Sequence, residues 1–258
     1  MQRFAGRRAL VSGAGSGIGQ ATVLRLLAEG ATVVGADVSE AGLADTAEKA
    51  GASTSLRTVV VDVGDEASVR AAVAWAVDAL GGLDVLVNAA GILRSAHAHE
   101  TSLADFETVI RVNLTGTFLM IRESIPALLL GRAPAVVNFS STSAAFAHPY
   151  MSAYAASKGG IQAMTHALAA EYGRAGVRFT AVQPGSIASG MTDGSGVSRQ
   201  SVGPGLPDDA DFSLFPAPLL GQGFAGPETV AGVVAMLASE DAAFITGTEI
   251  RVDGGSHA

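Results

Sequence analysis

Short runs of β-branched and other apolar residues alternate with longer, Ala-rich stretches along almost the whole chain. The short runs are Ala9–Ser12, Thr32–Ala36, Thr58–Val61, Val85–Asn88, Ala135–Phe139, Arg178–Val182 and Glu249–Val252. Most are continuously apolar, as expected of strands covered on both faces of a parallel sheet. The longer stretches predict helices over Gly17–Glu29, Glu40–Ala50, Glu66–Leu80, Leu103–Leu130, Ser152–Arg174 and Pro227–Ala238. Strand–helix alternation implies right-handed βαβ crossovers. The expected fold class is therefore α/β, a Rossmann-type doubly wound sheet of about seven parallel strands flanked by helices, in one domain over 1–258. Pro126 lies inside the fourth helical stretch, which should kink or end nearby, because proline lacks an N–H and crowds the preceding turn. Residues 185–226 break the rhythm with many Gly and Pro around the apolar segment Phe212–Leu220. A loop that long is usually functional. Its apolar residues suggest a lid over an apolar ligand, with 190–224 as the variable part.

Composition narrows the partners. The chain has 258 residues, of which 48% are hydrophobic and 16% charged, enough to bury a large core. A net charge of −8 offers no basic face to phosphate backbones, so no nucleic acid is expected. The absence of Cys excludes disulfides and thiolate metal sites, and suits a reducing, cytoplasmic setting. The segment MQRFAGRRALVSGAG lacks the apolar region of a signal peptide. No apolar run approaches the ~18 residues that cross a bilayer, so no membrane is expected either. Gly accounts for 32 residues and clusters in particular turns, which directs attention to close backbone approach to a ligand.

The first such cluster is Ser12-Gly-Ala-Gly-Ser-Gly-Ile-Gly19, between the first strand and the first helix. Glycines 13, 17 and 19, with Ser16 and Ile18, can bring backbone N–H groups against a pyrophosphate at a helix N-terminus. Their spacing, G-x-x-x-G-x-G, departs from the general G-x-G-x-x-G fingerprint. The second strand leads into Asp37, whose carboxylate can accept from adenosine ribose hydroxyls and would repel a 2′-phosphate. The expected cofactor is therefore NAD. Asp62, followed by Val63, closes the third strand where it could meet the adenine edge, or simply cap the next helix.

Tyr154 and Lys158 stand four apart in MSAYAASKGG, on one face of a predicted helix. A lysine ammonium beside a phenol favours phenolate, so the tyrosine is expected to titrate closer to neutrality and to act as a general acid/base at an alcohol oxygen.

With Asn88-Ala-Ala-Gly91 after the fourth strand, Asn113 in RVNLTG, Ser141 in VNFSSTS, YAASK, Pro184-Gly185 and the C-terminal VDGG, the chain resembles the classical short-chain dehydrogenase/reductase family almost end to end. The resemblance implies a catalytic set of Asn113, Ser141, Tyr154 and Lys158. In it Tyr154 moves the proton, and Ser141 holds the substrate oxygen. Lys158 tunes the phenol and grips the nicotinamide ribose, while Asn113 kinks its helix and holds a water. It also implies that Asn88 and Gly91 line the cofactor cleft, that Pro184, Gly185 and Ile187 flank the nicotinamide, and that Ser189 meets its carboxamide. A homotetramer is implied, built on the long helices Leu103–Leu130 and Ser152–Arg174. No metal is expected, because the Tyr/Lys pair supplies the proton transfer.

Substrate identity lies where the resemblance stops. Leu93, Ser143, Phe146, Tyr150, Met191 and Phe212–Leu220 are candidates for the pocket wall and are mostly apolar. Arg94 and Arg199 lie nearby without a clear aim, and His148 is placed to touch substrate. His97 and His99 read as solvent-facing residues. The expected substrate is an uncharged, hydrophobic secondary alcohol or ketone. A 3-oxoacyl-thioester reductase is the alternative within the family, and a non-catalytic NAD(H) sensor the alternative outside it.

Overall fold

The computed structural model describes residues 2–51, 53–193, 205–220 and 223–258. Seven strands, β1 (Arg8–Ser12), β2 (Thr32–Asp37), β3 (Leu56–Val60), β4 (Val85–Asn88), β5 (Ala135–Phe139), β6 (Arg178–Pro184) and β7 (Thr248–Val252), form one sheet. Their order is β3-β2-β1-β4-β5-β6-β7 and every adjacent pair is parallel. The order reverses between β1 and β4, opening the crevice where doubly wound sheets bind ligands.

The period of two along the strands builds two apolar layers. Ala9, Val11, Val33, Val85, Val87 and Val182 face one side. They pack there with Val23 and Leu26 of α1 (Gly17–Ala28) and with Val230, Val234 and Leu237 of α8 (Pro227–Ala238). Leu10, Val34, Leu86, Val136 and Phe179 face the other side, against α3 (Glu66–Leu80), α5 (Gly116–Leu128) and α6 (Ser152–Tyr172). The remaining helices are α2 (Glu40–Lys49), α4 (Leu103–Val109) and the short α7 (Gly190–Asp193).

The stretch Leu103–Leu130 is not one helix. α4 passes into a π-helical turn, Ile110–Thr115, before α5 begins. α5 ends at Leu128, two residues after Pro126. The expected long loop is also partly structured: it contains α7, a 3-10 turn at Phe212–Leu214 and a bridge that joins Ile187, before α7, to Ala225. Arg199 lies outside the described residues. No helix among the described residues is long and apolar enough to cross a membrane.

Asp84, 1% exposed, fixes the ends of the central strands opposite the crevice. Its Oδ2 accepts from Arg8 N at 2.9 Å and Arg8 Nε at 2.9 Å, and its Oδ1 accepts from Arg132 N at 2.7 Å. Burial works against this carboxylate's charge, but the Arg8 and Arg132 hydrogen bonds outweigh it and hold its pKa below the ordinary range. A depressed folded-state pKa contributes stability above the unfolded value of about 4 and loses it as pH falls further. Asp84→Asn is expected to cost about 2 kcal/mol at pH 7, with two N–H donors left poorly matched. Urea titrations at pH 7 and pH 3 should then show a smaller acid-induced loss in the variant than in the parent.

Candidate active site

β1 ends in a turn that needs its glycines. Gly13 has φ +72°, and a Cβ there would lie 2.6 Å from Ala90 N; a Cβ on Gly19 would lie 1.9 Å from Gly13 O. The turn therefore presses against both the β4 exit and the first turn of α1. That first turn carries no acidic side chain, and Ser16 makes no capping bond with its exposed hydroxyl. Positive helix-end potential and free donors are thus left for an anion. Asp37, at the end of β2, accepts from Gly15 N at 2.9 Å through Oδ2 and from Ser39 N at 2.9 Å through Oδ1. Gly15, which the spacing argument passed over, is needed for this contact, since a Cβ there would come within 2.9 Å of Asp37 Cγ. Asp62 and Val63 line the same cleft beyond Asp37.

Ser141 follows β5, and α6 brings Tyr154 and Lys158 to it one helical turn apart. Tyr154 and Ser141 line the same wall of the cleft, close enough for Ser141 to act on the phenol's pKa. Lys158 is 4% exposed and donates from Nζ to Phe139 O at 2.7 Å, with Nζ 5.5 Å from the centre of the Tyr154 ring. Ser140 is turned away, donating its hydroxyl to Lys158 O at 3.0 Å. Burial pushes the Tyr154 phenol above its ordinary value, with the Ser141 hydroxyl pulling the other way. Burial alone lowers Lys158 to about 8. The expected lowering of the phenol by lysine is therefore not what the protein's own groups produce. With Nζ engaged by a carbonyl, desolvation of both groups outweighs their attraction.

Asn113 sits in the π-turn, fully buried. It does not reach the cleft wall. Its Oδ1 accepts from Ile92 N at 2.8 Å, and its Nδ2 donates to Ile92 O at 2.9 Å and to Ser157 Oγ at 3.1 Å. The amide thus ties the β4 exit to α6 beside Lys158.

One cleft of about 660 Å³ joins these groups, within the usual span of ~300–1,000 Å³ for small-molecule sites. Gly91, Pro184, Gly185, Ile187 and Ser189 line it, as do Leu93, Met191, Phe212 and Phe215. Four expected residues are placed elsewhere. Asn88 is turned into the sheet, donating to Asn138 Oδ1 at 2.9 Å, because the two stand side by side in the β4–β5 register. Ser143 is buried behind Ser141, to which its N–H donates at 3.2 Å. Phe146 stacks on His257 with ring centres 4.3 Å apart. Tyr150, held at φ +66°, lines a separate small cavity and accepts through its hydroxyl from Asp211 N at 3.0 Å. It anchors the loop that carries Phe215 rather than touching the cleft.

Several wall residues were not legible in advance. Arg94 lines the cleft and donates to Leu93 O at 2.8 Å, so the wall is less free of cations than its sequence suggested. Ser256 and His257 also line it, from a C-terminal turn with no local signal beyond the preceding glycines. His148 lines the wall, near Thr142 Oγ1 at 3.3 Å. His97 is not a bare solvent residue: it pairs with Asp209 at 2.9 Å.

The sequence model of the family described as enoyl-(acyl carrier protein) reductase matches residues 13–257. A 3-oxoacyl-(acyl-carrier-protein) reductase of Thermotoga maritima is 36% identical, covering 98% of this chain and 98% of its own length. The chain belongs to the short-chain dehydrogenase/reductase family. Among other members of the family, levodione reductase of Leifsonia aquatica is 35% identical over 99% of this chain and 96% of its own. A crystal structure titled levodione reductase superposes with a TM-score of 0.85 at 31% identity, covering 99% of each chain. A dehydrogenase/reductase of Sinorhizobium meliloti 1021 gives a TM-score of 0.84 at 32% identity, covering 100% of this chain and 98% of its own.

Members of this family use nicotinamide dinucleotides, and the glycine cradle, the uncapped α1 terminus and the exposed Ser16 hydroxyl fit such a group. Gly13→Ala should therefore weaken binding of the nicotinamide dinucleotide by about tenfold or more, because the added carbon strains a left-handed turn and displaces the β4 exit. Calorimetric titration with NADH and with NADPH, alongside a melting curve to separate binding from folding, checks it.

Proposed function

We propose that this chain is an NAD-dependent oxidoreductase moving a hydride between nicotinamide and a hydrophobic, uncharged secondary alcohol or ketone. The observation that carries the reading is that Ser141, Tyr154 and Lys158 converge on one wall of the cleft, with Lys158 buried. Both hydroxyls can meet one substrate oxygen. Ser141 holds it, and Tyr154 gives it a proton in reduction or removes one in oxidation. The nicotinamide, when bound, supplies or accepts the hydride. Gly13, Ser16, Gly17, Ile18 and Gly19 would hold the pyrophosphate, Asp37 the ribose hydroxyls, and Asp62 and Val63 the adenine. Gly91, Pro184, Gly185, Ile187 and Ser189 would hold the nicotinamide half. Asn113 positions Lys158 through Ser157, and Asn88 supports the crevice from within the sheet.

NAD is preferred in this reading because a carboxylate at Asp37 repels a 2′-phosphate. Apolar Leu93, Met191, Phe212 and Phe215 support a hydrophobic substrate. The second reading, a 3-oxoacyl-thioester reductase, is favoured by the Thermotoga maritima relative of that name, and disfavoured by Asp37 and the net charge of −8. Assembly as a homotetramer through α5 and α6, in the cytoplasm, belongs to the same proposal.

A panel of secondary alcohols and ketones, offered with each of NAD(H) and NADP(H) and followed by nicotinamide absorbance, tests the reading. A clear NADP preference sinks the role given to Asp37, and turnover of acyl thioesters alone selects the second reading. Tyr154→Phe should lower turnover by about 10³-fold or more while NADH still binds, as expected for removal of the acid/base.

The pH dependence has a definite sign. Once ribose hydroxyls of the bound cofactor hold Lys158 in its charged form, its ammonium favours phenolate at Tyr154, and the two titrate together. Oxidation needs phenolate, so its kcat/KM should climb as pH rises through the pair's apparent pKa, and reduction should decline over the same range. Lys158→Met removes the stabilising charge and should move the oxidation limb to higher pH. An unmoved limb would show that Lys158 does not tune the proton transfer.

A further inference from the structure

Seven buried side-chain polar atoms among the described residues have no hydrogen-bond partner: Arg7 Nε, Asn88 Oδ1, Ser95 Oγ, Ser124 Oγ, Ser143 Oγ, Thr180 Oγ1 and His257 Nε2. His257 alone among their residues lines the large cleft. Buried polar atoms are nearly always paired, and one left over at a ligand cavity points to a partner supplied by the ligand.

The rest of the His257 ring is fully committed. Its side chain is 9% exposed. One face lies against Phe146, with ring centres 4.3 Å apart. Nδ1 meets Asp253 Oδ2 at 3.0 Å. Burial opposes the Asp253 charge, but the bonds from His257 and from Gly255 N, together with Arg251, hold this carboxylate below its ordinary range. An ionised carboxylate only accepts, so Nδ1 carries the proton that joins them. That fixes the ring's orientation and leaves Nε2 as its one unpaired polar atom, on a ring that lines the cleft. His148, its neighbour with ring centres 5.4 Å apart, is engaged by Phe146 O at 3.3 Å and by Thr142 Oγ1 at 3.3 Å. Thr142 adjoins Ser141, so the His257 ring stands across His148 from the reacting end of the cleft.

We propose that His257 is a specificity-determining residue: its Nε2 takes a hydroxyl of the substrate other than the one that reacts. The preferred substrates are then secondary alcohols or hydroxyketones with a second hydroxyl on an otherwise apolar frame. A hydroxyl suits the site because it both donates and accepts, and so satisfies Nε2 with or without a proton. This inference rests on the oxidoreductase reading above, and narrows its uncharged substrate to a bifunctional one.

The test compares matched probes, cyclohexanol with cyclohexane-1,4-diol and 2-butanol with 2,3-butanediol, each with NAD and with NADP. The parent should prefer the diol of each pair. His257→Phe keeps the stack on Phe146 and should raise KM for the diol by about tenfold, with kcat and the mono-alcohol constants within about twofold, as for loss of one ground-state hydrogen bond. His257→Gln, which restores a polar end, should recover part of the preference and guards against a phenylalanine variant that fails to fold. The proposal is overturned if the parent shows no diol preference, or if diol and mono-alcohol lose equally in both variants. Calorimetric binding of each diol to parent and variants is read in parallel. If neither alcohol turns over with either cofactor, the oxidoreductase reading fails. Weaker diol binding in the variants would still uphold His257, and unchanged binding would overturn it.

Discussion

Where the chain leaves β4 it must cross the floor of the crevice without a strand or helix to pair its backbone. Ile92 meets that demand through Asn113, whose one carboxamide satisfies both its N–H and its C=O. The same amide reaches Ser157, next to Lys158 on α6. A buried backbone group left unpaired costs about 1–3 kcal/mol, so this double contact holds the segment at a fixed height in the sheet. The π-turn that carries Asn113 is the local distortion that lets a helix spend a side chain in this way. Cleft floor, catalytic helix and the start of α5 thus share one joint.

The electrostatics of the site follow from how dry it is. Tyr154 and Lys158 are both moved toward their neutral forms by burial, the first upward and the second to about 8. Neither charge is well supported by the protein alone, since the lysine's hydrogen-bond partner is a single carbonyl. With Nζ 5.5 Å from the centre of the Tyr154 ring, a charged lysine would favour phenolate. A ligand that brings oxygen atoms to Lys158 would favour its charge, and through it the phenolate.

Much of this was legible in the residue pattern. Continuous apolar runs announced a two-sided parallel sheet; the glycine turn, Asp37 and Ser141 fell at strand ends that open on the crevice, and α6 brings Tyr154 and Lys158 to the same cleft. What escaped was mostly non-local. Asn88 sits at a strand end as the sequence implied, yet the β4–β5 register puts Asn138 beside it and draws its amide away. The apolar pattern over Leu103–Leu130 runs unbroken because a π-turn shifts the helical phase by a single residue. Tyr150 lies four residues before Tyr154, but its left-handed backbone turns it toward Asp211 and out of the cleft. His257 gained its place through the Phe146 stack and the Asp253 bond, and neither contact leaves a trace in local spacing.

Asp37 ties two properties that are usually treated as separable. Its carboxylate faces the cleft, and it is also the acceptor for Gly15 N and Ser39 N, which belong to the phosphate turn and to the cap of α2. Replacing it to accommodate a different ribose would withdraw both acceptor oxygens from the backbone at once. If Asp37 sets dinucleotide preference as proposed, changing that preference calls for a second substitution that gives those two amides new partners, or the glycine turn softens.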